Sequence, residues 1–110
     1  MTDPTIFALA SGGARAGVAV VRLSGGGAAD ALSTLCPGAS LPAPRVAALR
    51  DVIDPATGDL LDRALVLRFE GPASFTGEDV AEFHLHGGPA VVEGVLSALG
   101  RIGGLRPAEA

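Results

Sequence analysis

Apolar positions along the chain fall into blocks whose spacing alternates between a period of two and a helical period. Residues 5–10 form a short apolar block, a strand candidate. SGGARAG at 11–17 is glycine-rich and predicts a turn. GVAVVRLS at 17–24 is β-branched and mostly apolar, which predicts a central strand with Arg22 inside it. Gly25 to Gly27 break that strand. Over 28–35 the apolar residues Ala28, Ala31, Leu32 and Leu35 share one helical face, and Cys36-Pro37-Gly38 ends the helix.

A proline-containing loop at 39–44 leads to a strand at 46–53, where Val46, Ala48 and Val52 alternate imperfectly. DPATGD at 54–59 is a turn cluster, and 60–69 reads as the returning strand of an antiparallel hairpin. After a loop at 71–77, residues 79–86 alternate with period two. Ala81, Phe83 and Leu85 point one way; Val80, Glu82, His84 and His86 point the other. Residues 89–102 form an apolar-rich helix with Pro89 in its first turn, where a missing N–H has no partner to lose. Gly103-Gly104 stops it, and LRPAEA follows. The predicted order β-β-α-β-β-β-α implies an α+β fold: a mixed, largely antiparallel sheet with two main helices on one side. With no closing strand after the last helix, the natural chain is expected to continue.

Composition narrows the function classes. The chain has 110 residues, 48% apolar and 18% charged, which fits one globular domain over 1–110. A formal net charge of −4 argues against a nucleic-acid surface. All eight cationic residues are arginine, so the lysine that a phosphate-binding P-loop requires is missing. The single cysteine, Cys36, excludes an intramolecular disulfide and a cysteine-rich zinc site. No signal peptide and no membrane-length apolar run is visible, so a cytoplasmic setting is expected.

Three groups of residues carry candidate chemistry. Arg22, inside an apolar strand, either lies on a polar face with its head in water or holds a carboxylate through paired hydrogen bonds. Glu82 in its alternating strand either faces solvent, pairs with Arg22, or accepts N–H donors from a planar heterocycle. His84 and His86 form a His-x-His pair that, with Glu82, has the spacing of a strand-borne metal site; hydrogen-bonded histidines on a polar face have the same pattern. GGGAAD at 25–30 approaches the dinucleotide fingerprint G-x-G-x-x-G, but Asp30 stands where the third glycine belongs. Around Ser11 and Ser74 no nucleophile elbow is recognisable.

TIFALAS, GVAVVRLSG and FEGPASFTGEDVAEFHLHGG together resemble the N-terminal domain of the tRNA modification GTPase family (MnmE/TrmE), over residues 5–106. VVRLSG at 20–25 and SFTGED..E...HGG at 74–88 are the most specific parts. The resemblance implies a homodimeric folate-binding module that takes 5-formyl-tetrahydrofolate. It also implies a parent protein that acts with a flavin-dependent partner on the wobble uridine of tRNA. GTP, Mg and K would bind a separate G domain. Carried over by motif, Arg22 and Glu82 are the folate-contacting positions. A third, basic contact would lie beyond Ala110. His86-Gly87-Gly88 matches the family's H-G-G, whereas His84 falls where the family varies. The family's P-G-R-G-G turn is replaced here by GGARAG, in which Arg15 keeps the cation. In this reading Glu82 accepts adjacent N–H donors of a pterin ring, Arg22 serves the ligand or orients Glu82, and His86 supports the glycine turn. The competing readings are a structural dimerisation scaffold and a small metal-dependent enzyme using Glu82, His84 and His86.

Overall fold

The computed structural model describes residues 4–11, 17–72, 74, 77–86 and 88–108. Six strands and two helices follow in the order β1 (Thr5–Ser11), β2 (Ala19–Ser24), α1 (Ala28–Leu35), β3 (Ala48–Ile53), β4 (Leu60–Phe69), β5 (Val80–Leu85), α2 (Pro89–Gly100) and β6 (Leu105–Pro107). The strands form one sheet in the order β3-β4-β5-β2-β1-β6. Neighbours are antiparallel except β1 and β6, which run parallel. The α+β, largely antiparallel architecture expected from the hydrophobic pattern is therefore present.

Alternation decides which face is the core. Val21 and Leu23 of β2, Ala64 and Val66 of β4, and Ala81, Phe83 and Leu85 of β5 are buried in one cluster. The same cluster takes Ala28, Ala31, Leu32 and Leu35 from α1 and Val92, Val95, Ala98 and Leu99 from α2. Both helices thus cover the same side of the sheet. An eight-residue helix such as α1 is marginal alone in water, so this packing is what holds it. Phe83, fully buried on a central strand, contributes about 2–3 kcal/mol by area removed from water.

Several boundaries shift for local reasons. The strand expected from 46 begins at Ala48, because Arg45 adopts φ 66° and the Val46 N–H turns back to the Ala43 carbonyl. The second helix ends at Gly100 rather than at 102. There the N–H groups of Arg101 and Ile102 bond to carbonyls three residues back, which tightens the last turn. The sequence reading placed no strand after this helix, and that is corrected by β6. Its three residues include Pro107 and carry no alternation, but an edge position tolerates a proline. The Thr5 N–H bonds to the Gly104 carbonyl and the Ala108 N–H to the Phe7 carbonyl, locking β6 onto β1.

The triple-glycine turn after β2 serves close packing. Gly25 has φ +140°, and a Cβ there would lie 2.8 Å from the Thr5 Cα. The Gly27 N–H donates to the buried Thr5 Oγ1 at 2.7 Å, and the Gly25 N–H to the Asp79 carbonyl. These donors are used inside the fold, so GGGAAD is a packed turn and a helix start.

Candidate functional site

The helix-free side of the sheet carries the chemistry. On β2 the residues alternating with the core are Val20, Arg22 and Ser24; on β5 they are Val80, Glu82 and His84. Pairing aligns Val20 with His84, Arg22 with Glu82, and Ser24 with Val80. On the other flank of β5, Leu65 is opposite His84, Leu67 opposite Glu82 and Phe69 opposite Val80. Glu82 therefore sits at the middle of a central strand, between an arginine and a leucine.

Its surroundings bury it to 6% exposure. An isolated buried carboxylate is strongly disfavoured, and here it is compensated by direct bonds. Arg22 donates from Nε and Nη2 to Oε2, each at 2.8 Å. His84 Nε2 lies 2.9 Å from Oε1. A carboxylate oxygen accepts and does not donate, so this contact places a hydrogen on Nε2. No buried side-chain polar atom among the described residues lacks a partner.

The arrangement resolves two alternatives left open by the sequence. Arg22 does pair with Glu82, and its side chain still keeps 38% exposure. The Glu82–His84–His86 grouping separates: the first two meet, whereas His86 lies past the end of β5, is exposed, and donates its backbone N–H to Asp62 Oδ2 at 2.8 Å. Among the described residues no cluster of three or more His, Cys, Asp or Glu could hold a metal ion. Arg15 and Gly87, singled out in the sequence, lie outside the described residues.

Acceptor capacity limits what Glu82 can do next. A carboxylate offers about four acceptor positions, and Arg22 takes two of them on one oxygen. His84 takes one on the other. One acceptor position, on Oε1 beside His84, therefore remains for a further donor.

A cleft of about 200 Å³ opens beside Arg22, lined by Ile6, Phe7, Ala8, Ala10, Arg22, Ser24 and Ala108. Small-molecule sites usually enclose about 300–1,000 Å³, so this cleft is smaller than such sites. The surrounding sheet face is apolar and open: Ile6 is 42% exposed, Leu49 49% and Leu65 40%. Two larger clefts lie elsewhere. One, of about 440 Å³ between α2 and β1, has no charged lining residue. The other, of about 320 Å³ beside Cys36, has its arginines engaged: Arg50 with the Leu49 and Ser40 carbonyls, Arg63 with Asp51 at 4.0 Å. Of the three clefts, the smaller one adjoins the hydrogen-bonded chain, through Arg22. Sequence reasoning found Arg22 and Glu82 but did not assign His84 to their hydrogen-bonded chain. The signal was present, since His84 is two residues from Glu82 on the same face.

Comparison with known proteins adds an independent observation. A family model described as GTP-binding protein TrmE N-terminus matches residues 5–110. A zebrafish protein named 5-taurinomethyluridine-[tRNA] synthase subunit GTPB3, mitochondrial, is 62% identical over 108 residues, 98% of this chain and 21% of that protein. The human protein of that name is 61% identical over 106 residues, covering 96% of this chain and 22% of its own length. A tRNA modification GTPase MnmE from Methylobacterium sp. (strain 4-46) is 61% identical over 109 residues, 99% of this chain and 24% of that protein. The chain thus spans between about a fifth and a quarter of these relatives.

Proposed function

Because the chain belongs to the family of TrmE N-terminal domains, we propose that it is the folate-binding and homodimerisation module of a GTPase that modifies the wobble uridine of tRNA. The observation that carries this reading is the Arg22–Glu82–His84 chain, built around a buried carboxylate at the centre of the helix-free sheet face. The ligand would be 5-formyl-tetrahydrofolate or a related tetrahydrofolate. Its pterin ring carries adjacent N–H donors, one of which suits the acceptor position left on Glu82 Oε1, and Arg22, the partner of Glu82, lines the neighbouring cleft.

The size of that cleft supports the dimer. A wall is missing on the open side, and a second copy of the chain would supply it while covering Ile6, Leu49 and Leu65. In the parent protein, GTP, Mg and K would belong to a G domain, and a flavin-dependent partner protein and tRNA would join the complex. The module itself would bind and present a ligand rather than catalyse a reaction. The working compartment is proposed to be the cytoplasm; among the described residues no helix is long and apolar enough to cross a membrane.

Isothermal titration of 5-formyl-tetrahydrofolate into the chain, with Glu82→Ala in parallel, tests the reading. Binding much weaker in the variant than in the wild type is the expected result. Equal binding by both proteins removes Glu82 from the site. A second reading, a dimerisation scaffold without ligand, is favoured by the same apolar face. Light scattering across a concentration series addresses it: a dimer that binds no folate would replace the first reading with the second.

A further inference from the structure

Arg45 is the one non-glycine residue with positive φ among the described residues, at 66°. Glycine adopts that conformation without strain, so the backbone alone gives no reason for an arginine here. Its N–H is pinned to the Arg68 carbonyl at 2.8 Å. The β3–β4 register ends at the Ala48–Val66 pair, and Arg45 lies just beyond it. Its guanidinium carbon lies 5.7 Å from the centre of the Phe69 ring. Phe69 shares the helix-free face with Leu67, the residue opposite Glu82. Phe69 itself is opposite Val80, one strand over and two residues along from Glu82, so by ordinary sheet spacing it lies roughly 5 Å across and roughly 7 Å along the sheet from Glu82.

We propose that Arg45, laid over Phe69, is the carboxylate-reading end of the ligand site that begins at Glu82. The inference rests on the folate reading above and adds to it the recognition of the acidic tail. A guanidinium over an aromatic face is partly pre-oriented, so it loses less freedom when it binds. Its fork of donors matches a carboxylate. Between the two ends, half-buried Leu67 and Phe69 give an apolar floor suited to a flat linking ring. The ligand class is therefore an elongated anion: a hydrogen-bonding heterocycle at Glu82, an aromatic linker along β4, and an acid at Arg45.

The test compares 5-formyl-tetrahydrofolate with its tail diamide, which has nearly the same shape without the tail charges, by titration into the 110-residue chain. Arg45→Gly removes the side chain and relieves the backbone, so an unchanged melting temperature shows that the fold is intact. The wild type is expected to bind the diamide about tenfold more weakly, the loss of one charged hydrogen-bonded contact. Arg45→Gly should bind the acid about tenfold more weakly than the wild type does and should no longer distinguish acid from diamide. Glu82→Ala should weaken both ligands by one factor and keep their ratio. An Arg45→Gly protein that still separates acid from diamide as the wild type does overturns the assignment, as does a wild type indifferent to the tail. If the wild type binds neither compound, the folate reading itself falls, and this proposal with it.

Discussion

Replacing Arg22 by methionine removes both donors to Glu82 Oε2 and leaves a carboxylate at 6% exposure with its contact to His84. Breaking one side of a buried ion pair costs about 3–5 kcal/mol. The Arg22 side chain is 38% exposed, so solvent screening lowers this to about 2–3 kcal/mol. Glu82→Leu removes the acceptor of the half-exposed guanidinium and of His84, at about 1–2 kcal/mol. The double variant Arg22→Met, Glu82→Leu replaces the pair with apolar groups and should return to within about 1 kcal/mol of the wild type. Far-UV circular dichroism during urea unfolding is the assay, since the chain has no Trp or Tyr. All variants are compared at one protein concentration, because dimerisation would couple stability to concentration. At about 4 °C per kcal/mol, Arg22→Met should melt on the order of 10 °C lower. A double variant as unstable as the two single changes summed would refute the coupling, as would an Arg22→Met cost below about 0.5 kcal/mol.

Other expectations follow from the same geometry. Burial pushes the Cys36 thiol up from 9.0 to about 11, with Asp51 adding to the rise and Arg50 opposing it. The folded protein then holds its proton where the unfolded chain has lost it, so the contribution is complete below pH 9 and declines as pH rises from 9 toward 11. Cys36→Ala should flatten that alkaline loss in a pH series of unfolding midpoints, and native Cys36 should react with a thiol reagent far more slowly than in urea. Gly25→Ala forces a Cβ to within 2.8 Å of Thr5 at a positive φ and should cost at least about 2 kcal/mol; equal denaturation midpoints would contradict the close-packed turn. Thr5→Val removes the acceptor for the Gly27 N–H and should cost about 1–2 kcal/mol by the same measurement. Arg101→Ala breaks the two 3.0 Å contacts to Asp54, but Arg101 is about half exposed, so the loss should stay below about 1 kcal/mol.

The sequence by itself determined the elements and their faces. Period-two spacing around Phe83 fixed the core side of β5, and the Ala28, Ala31, Leu32, Leu35 stripe fixed the buried side of α1. It also singled out Arg22 and Glu82, because charged residues inside apolar strands stand out against their neighbours. Local pattern reaches only as far as one element, and the rest required the fold. The pairing of β2 with β5, sixty residues apart, is what makes Arg22 and Glu82 partners and draws His84 to the second carboxylate oxygen. The parallel strand β6 escaped notice because three residues with a proline have no period; only the open edge of β1 gives them a place. Arg45, between the expected loop and strand, carried no signal in the sequence; only the fold sets its guanidinium over Phe69. Both cases have one physical reason: side-chain direction is a local property of the backbone, whereas register and edge are properties of the assembled sheet.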